Sequence, residues 1–258
     1  MGQQRQSTRD RNGRRGSLLV KMIKNKNSPV HFTWGVWFLI KHLSFKISKH
    51  LFKYPPPLLM KEFWENRYKE SAFAYGTRPN EFFQEHINKI PPGKILLPAE
   101  GEGRNAVYAA RKGWEVTAFD FSMQAMLKTF QLAERYDVTL NYTVQDVAKF
   151  ESNGVAYDAI GLFFAHFPPP LRKTFHQKLP TMLKKSGYVL LEAFHSNQLY
   201  YSSGGPKEKE MLLTLEDLEM EFKDLTILML EDRIVELDEG PYHQGKAHVV
   251  RMIATKTD

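Results

Sequence analysis

The sequence predicts an α/β fold: a mostly parallel, seven-stranded sheet with helices on both faces and an antiparallel hairpin at the C-terminus. Three observations carry that expectation. Short apolar runs of strand type alternate with helical patterns between residues 94 and 194. A glycine turn, Gly101-Glu102-Gly103, joins the first run to a helix, and Asp120 stands at the carboxyl end of the second run. Near the end of the chain, Arg233–Leu237 and Ala247–Thr255 flank the turn-forming DEGPYHQG, the pattern of a hairpin.

The chain opens on a basic stretch. Residues 1–60 hold 12 of the 36 Lys and Arg but only one acid, Asp10, for a net charge of +11. The remainder carries a net charge of −4, so the high isoelectric point belongs to the leader, and no nucleic-acid partner is expected for the folded part. Residues 1–29 are too polar to bury a core. Val30–Ile40 is apolar but short of the roughly 20 residues of a membrane span. It resembles the apolar part of a signal peptide without the small-residue cleavage site. Residues 43–53 read as a basic amphipathic surface helix. Three prolines, Pro55 to Pro57, then precede Met60. The expected division is a basic, disordered leader over 1–59 and a single folded domain over 60–258. The leader is read as upstream sequence, a targeting segment or a peripheral membrane anchor. The absence of cysteine excludes disulfides, thiolate metal sites and cysteine nucleophiles, and fits a cytoplasmic protein.

Within the domain, Glu62–Glu70 has helical spacing and carries Trp64 and Tyr68. Ala74–Glu81 is a turn-rich loop, and Pro79-Asn80 starts the next helix. Ile95–Leu97 is the first strand. Asn105–Lys112 is a helix with Ala106, Val107, Ala109 and Ala110 toward the sheet, stopped by Gly113, where a left-handed residue is wanted. Val116–Phe119 is the second strand. Ser122 caps a helix whose apolar face is read as Met126, Leu127, Phe130, Leu132 and Ala133. Leu140–Val144 is the third strand and Tyr157–Phe164 the fourth, almost wholly apolar as a strand covered on both faces should be. Prolines mark its exit. Leu171–Leu183 is a helix closed by Lys184, Lys185 and Gly187, and Tyr188–Phe194 is the fifth strand. A polar segment over 195–209, a helix over 215–222 and a strand over 224–231 lead to the hairpin.

The glycines and the strand-end acid suit a nucleoside site. Glycines let a ligand approach backbone where a Cβ would collide. A carboxylate at the tip of the second strand accepts both ribose hydroxyls, and Asp120 lies 17 positions beyond Gly103, near the spacing of about 20 expected for such an acid. An ordinary βαβ unit without a nucleotide is the competing reading. His166, at the exit of the fourth strand, is placed to hydrogen-bond or deprotonate a substrate, or else to cap the strand. Arg172 is placed to attract an anionic substrate, or is a solvated helix arginine. Glu192 and His195, at the end of the fifth strand, are further candidates. No metal site is expected, because the histidines show no ligand spacing.

The stretches FWENRYKE, FAYGTRPNEFF, EGEGRNAVYAARKGWEVTAFDFS, VQDVAKF and EGPYHQGKAHVVR span about residues 62–251. Together they resemble the class I S-adenosylmethionine-dependent methyltransferases, in particular the group around the tellurite-resistance and thiopurine methyltransferases. The resemblance implies a Rossmann-like class I methyltransferase fold, S-adenosyl-L-methionine as cofactor, and a small-molecule acceptor such as a thiol, a thiopurine or a chalcogen oxyanion. It implies that Gly101 and Gly103 let the cofactor lie against the backbone, and that Asp120 takes the ribose. Phe121 would cover the adenine, Asp146 would accept from its amino group and Val147 would donate through its backbone. Tyr75 belongs to a lid over the cofactor, and Glu100, Asn105 and Phe163 complete the implied cofactor set. In the family pattern LDLGCGxG, an acid and a glycine stand where this chain has Leu97 and Ala99, and Glu100 takes the cysteine place. Either Glu100 takes over the contact to the methionine end or that contact is weaker. FFAHFPPP stands where an Asn-Pro-Pro-Tyr motif would, which speaks against adenine or glutamine acceptors. The alternatives are a nicotinamide-dependent oxidoreductase and a non-catalytic protein keeping the fold. A monomer or dimer is expected.

Overall fold

The computed structural model describes residues 57–257. The readings made above for the basic leader lie almost wholly outside them. Helix α1 (Pro57–Tyr68) and helix α2 (Glu81–Ile87) precede the sheet. Strand β1 (Lys94–Pro98), α3 (Arg104–Arg111), β2 (Glu115–Asp120), α4 (Met123–Arg135) and β3 (Asn141–Val144) follow in alternation. Then come β4 (Tyr157–Phe163), α5 (Pro169–Met182), β5 (Leu183–Phe194), α6 (Leu215–Glu221), β6 (Thr226–Asp238) and β7 (Gln244–Thr255).

The seven strands form one sheet in the order β3-β2-β1-β4-β5-β7-β6. Strands β1 to β5 pair in parallel, and β7 runs antiparallel to both β5 and β6. The alternation of side chains along a strand explains why the central strands are continuously apolar. Leu96, Ile160, Val189 and Leu191 pack with Phe175, Leu179, Leu218 and Phe222 on one face. Ile95, Leu97, Ala159 and Leu190 pack with Phe82, Phe83, Ala106 and Ala109 on the other. Among the described residues, no helix is long and apolar enough to cross a membrane.

Four local expectations change. The strand expected over 224–231 and the first hairpin strand are one strand, β6, with a bulge between Ile227 and Met229. The prolines after β4 do not merely end it, because Pro169 opens α5, where a missing N–H costs nothing. Helix α5 ends at Met182, and Lys184–Gly187 is an irregularity within β5: Tyr157 faces Leu183, and the next pair is Ala159 with Tyr188. The expected apolar face of α4 holds at Met126, Leu132 and Ala133 but not at its other two positions. Leu127 and Phe130 are exposed, whereas Lys128 and Thr129 are buried because their polar atoms find partners in the glycine loop.

Candidate cofactor and acceptor site

Strand β1 pairs with β2 on one side and β4 on the other, so the sheet order reverses at β1. Ligands of open α/β sheets bind at the carboxyl ends of the strands at such a point, and the glycine loop 99–103 lies there. Gly101 and Gly103 adopt φ of 62° and 81°. A Cβ on Gly103 would fall 2.4 Å from Thr129 Cγ2, and one on Gly101 would fall 2.8 Å from Tyr68 Oη. The carbonyl of Gly101 accepts from Tyr142 Oη at 2.6 Å and Thr129 Oγ1 at 3.2 Å, which fixes the loop from beneath.

The parallel register, Pro98 beside Phe119, brings Asp120 alongside the loop. Its Oδ2 accepts from the N–H of Gly101 at 3.2 Å, and its Oδ1 accepts from the N–H of Ser122 at 3.0 Å. A carboxylate offers about four lone-pair positions, so acceptor capacity remains for two ribose hydroxyls. Burial raises the Asp120 carboxyl to about 7, against the opposing pull of the Ser122 and Gly101 amides. Glu100 Oε1 accepts from the N–H groups of Asn105 and Ala106, both at 2.8 Å, and so closes the N-terminus of α3. Burial also lifts Glu100 to about 7. Asn105 Oδ1 accepts from the N–H of Asn80. Leu97, at the place of the family's acid, is wholly buried in the core.

The loop before α2 is fastened over this region by buried charge. Glu102 Oε2 accepts from the N–H of Ala74 at 2.7 Å, and Lys128 Nζ bridges Glu102 Oε1 at 2.7 Å and the carbonyl of Ala72 at 2.6 Å. Tyr75 Oη accepts from Arg67 at 3.0 Å, and its carbonyl accepts from Arg104. The β6–β7 turn holds the other side. The ring of Tyr75 lies 4.4 Å from that of His243, and Arg78 pairs with Asp238 at 2.7 Å. Glu239 is paired with Arg104 at 2.9 Å and accepts from His243 Nδ1 at 3.0 Å. Burial would raise Glu239, but Arg104 and the His243 hydrogen bond outweigh it and bring it to about 2.

Gly240 is where the turn and the lid loop touch. It has φ of 66°, and a Cβ there would fall 2.4 Å from the Gly76 nitrogen and 2.8 Å from the Ala74 carbonyl oxygen. Both obstacles are backbone. Gly240→Ala is therefore expected to destabilise the domain by about 1–3 kcal/mol. A lower midpoint in urea with an unchanged slope checks this; an unchanged midpoint would contradict it.

Other predicted residues divide clearly. Phe121 is half-buried beside Asp120, while Asp146 caps the 3-10 turn Val147–Lys149 through Ala148 N–H at 2.9 Å, so Asp146 and Val147 stand at the tip of β3. The ring of Phe163 packs edge-on against Phe83 at 5.0 Å in the core. Arg172 is neither a substrate anchor nor a solvated arginine. It is buried, paired with Glu221 at 2.9 Å and Asp217 at 3.3 Å, and donates to the carbonyls of Glu210 and Leu212. Glu192 is likewise committed to Arg251 and to Asn80.

His166 is different. Its Nδ1 lies 3.1 Å from the carbonyl of Met211, so this nitrogen carries the proton, and its Nε2 is buried without a hydrogen-bond partner. Burial lowers its pKa to about 4 and keeps the ring neutral. The ring stacks on Phe194 at 5.5 Å, and Phe194 and Phe164 both lie against His243. Glu102, Lys128, Glu239 and His243 were not singled out in the sequence. The only signals for them were the acid between the two glycines and the histidine within the quoted GPYHQG.

The methyltransferase-domain family matches residues 95–187. A comparison with curated protein sequences finds no match. Among solved structures, TehB from Haemophilus influenzae is 19% identical with a TM-score of 0.59, covering 76% of this chain and 67% of that one. A protein solved in connection with the conversion of a disulfide bond into a thioacetal group during echinomycin biosynthesis is 13% identical. Its TM-score is 0.64, with coverage of 77% and 92%. The N-methyltransferase NodS from Bradyrhizobium japonicum WM9, bound to S-adenosyl-L-homocysteine, is 12% identical with a TM-score of 0.56, covering 77% and 98%. The order of the sheet, its antiparallel last strands and the family match over the glycine loop agree. Residues 95–187 match a methyltransferase-domain family, and the sheet order with its antiparallel last strands is that of the class I methyltransferase fold.

Proposed function

We propose that this enzyme methylates a small sulfur acceptor, a thiol or thiopurine, in preference to a chalcogen oxyanion. The observation that carries this reading is the half-buried, neutral His166, whose buried Nε2 is unpartnered beside Phe194, Phe164 and His243. A neutral imidazole lone pair accepts a hydrogen bond from a protic acceptor and takes its proton as the methyl bond forms. Aromatic rings suit polarisable sulfur. The nearby cations Arg104, Arg172 and Arg251 are already paired with carboxylates, which favours a neutral acceptor over an anion. The echinomycin-related neighbour is associated with sulfur chemistry, whereas NodS is an N-methyltransferase, so the fold itself leaves the acceptor atom open.

In this reading the cofactor lies along Gly101 and Gly103, with its ribose hydroxyls on Asp120. Phe121, Asp146 and Val147 flank the adenine, and Glu100 and Asn105 border the loop. Tyr75 and its loop cover the site. The bound cofactor supplies a methyl group already activated on a sulfonium. The protein's part is to align acceptor and methyl group, which can remove up to about 7–11 kcal/mol of barrier, and to receive a proton at His166 Nε2. The domain is read as residues 60–258 behind a leader, working in the cytoplasm as a monomer or dimer.

The test is transfer of labelled methyl from S-adenosylmethionine to a panel of thiols, thiopurines, selenite and tellurite. Turnover of a sulfur acceptor is expected. His166→Ala should then lower kcat/KM by about 100-fold without weakening cofactor binding. Turnover of oxyanions alone, or an unaffected His166→Ala, would overturn the assignment.

A further inference from the structure

A second constellation lies apart from the residues proposed for the cofactor and the acceptor, and takes in His195, a candidate from the sequence. His195 directly follows β5, Asp232 is on β6 and His248 is on β7. In the antiparallel register, His248 faces Ile234 and Val250 faces Asp232, so Asp232 and His248 are diagonal neighbours on one face of the sheet. The N–H of His195 donates to the carbonyl of His248 at 2.9 Å, which draws the two imidazoles to 4.3 Å between centroids. His248 Nε2 lies 2.6 Å from Asp232 Oδ2. One ligand atom from each of the three side chains lies within 4.8 Å of the others. Glu216, exposed in the first turn of α6, interacts electrostatically with both His195 and Asp232.

We propose that His195, Asp232 and His248 bind a divalent cation of the zinc class, with Glu216 or water as the remaining ligand. Two imidazoles and a carboxylate are a borderline-soft nitrogen and oxygen set, which suits zinc and its neighbours rather than magnesium or calcium. Ligand atoms about 2.0–2.2 Å from a tetrahedral zinc lie about 3.4 Å from one another. The contraction needed from the present spacing is within reach of side-chain rotation, because the backbone is held by the strand ladder. Zinc would replace the proton shared by His248 and Asp232. At His195 it would cost the Asn197 N–H contact to Nδ1, 3.1 Å long and exposed, if it binds through Nε2. The ligands come from three separate segments, so a bound ion would tie the start of the 195–209 segment to the β6–β7 pair. The distances in sequence explain why no ligand spacing appears: the fold alone brings 195, 232 and 248 together.

The experiment is calorimetric titration of the chelator-treated full chain with zinc, alongside the absorption spectrum on adding cobalt(II). His195→Gln, His248→Gln and Asp232→Asn are measured in parallel. One site is expected in the parent, with affinity reduced by more than about tenfold in each variant. A zinc-dependent rise in Tm should be present in the parent and absent in the variants. Unchanged S-adenosylmethionine binding would show that the variants are folded. Zinc binding equal in parent and variants would overturn the proposal, as would no binding by the folded parent.

Discussion

Replacing Asp120 with alanine is expected to weaken S-adenosylmethionine binding by about 100-fold or more. Hydrogen bonds to a charged acceptor contribute about 1.5–3 kcal/mol each, and two ribose hydroxyls on one carboxylate reach that loss at about 1.4 kcal/mol per tenfold. The folded chain should persist, since Asp120 is held by backbone amides and by no buried ion pair. The linkage to pH has a definite sign. Asp120 and Glu100 titrate at about 7 in the cofactor-free protein because burial disfavours their charge. An unfolded chain releases those protons near 4. Between these values the folded form binds more protons, so its stability falls as pH rises toward 7. Ribose hydroxyls favour the ionised carboxylate, so cofactor affinity should rise with pH through about 7 and then level off. Asp120→Asn should flatten this dependence. Titrations from about pH 6 to about pH 8 measure it, and a slope equal in the parent and Asp120→Asn would assign the proton elsewhere.

Much of this site was legible in the sequence because it is local. A strand, a glycine turn, a helix and a strand-end acid lie within 27 residues, Lys94 to Asp120, and parallel pairing of β1 with β2 is enough to bring Asp120 to Gly101. The carboxyl ends of the strands were equally readable, since each apolar run stops at a turn. What escaped is non-local. Lys128 reads as a solvated helix residue until Glu102 and the Ala72 carbonyl come within 2.7 Å. That inward lysine also explains why Leu127 and Phe130 fall outside the buried face of α4, while Leu132 and Ala133 of the expected face lie within it. Arg172 looked free for a substrate because Glu221 lies 49 positions away. Glu100 was set against the cofactor by its place in a motif, while its geometry shows a carboxylate bonded to the first amides of α3.

Glu221→Ala should be the most destabilising of the substitutions considered, by about 3–5 kcal/mol. The Glu221 side chain is fully buried and pairs with Arg172 at 2.9 Å and His176 at 2.7 Å. Burial alone would raise Glu221, but His176 and Arg172 prevail and hold it below the usual carboxylate range. Removing it leaves the buried Arg172 guanidinium with Asp217 alone as its carboxylate partner and takes the partner of His176 away, which is why breaking such a pair costs more than replacing it whole. For a domain of this size the loss corresponds to a fall in Tm of roughly 10 °C. Arg172→Met combined with Glu221→Leu should recover much of it. A Glu221→Ala protein that melts with the parent would show that the α5–α6 contact contributes little.

The most direct measurement is calorimetric titration of the full chain with S-adenosylmethionine, S-adenosylhomocysteine and NADH. The arrangement of Gly101, Gly103 and Asp120 predicts micromolar or tighter binding of the first two at one shared site, lost in Asp120→Ala, and no binding of NADH. Binding of NADH alone would contradict the account and favour a nicotinamide enzyme, and binding of none would leave a folded protein that has lost the cofactor.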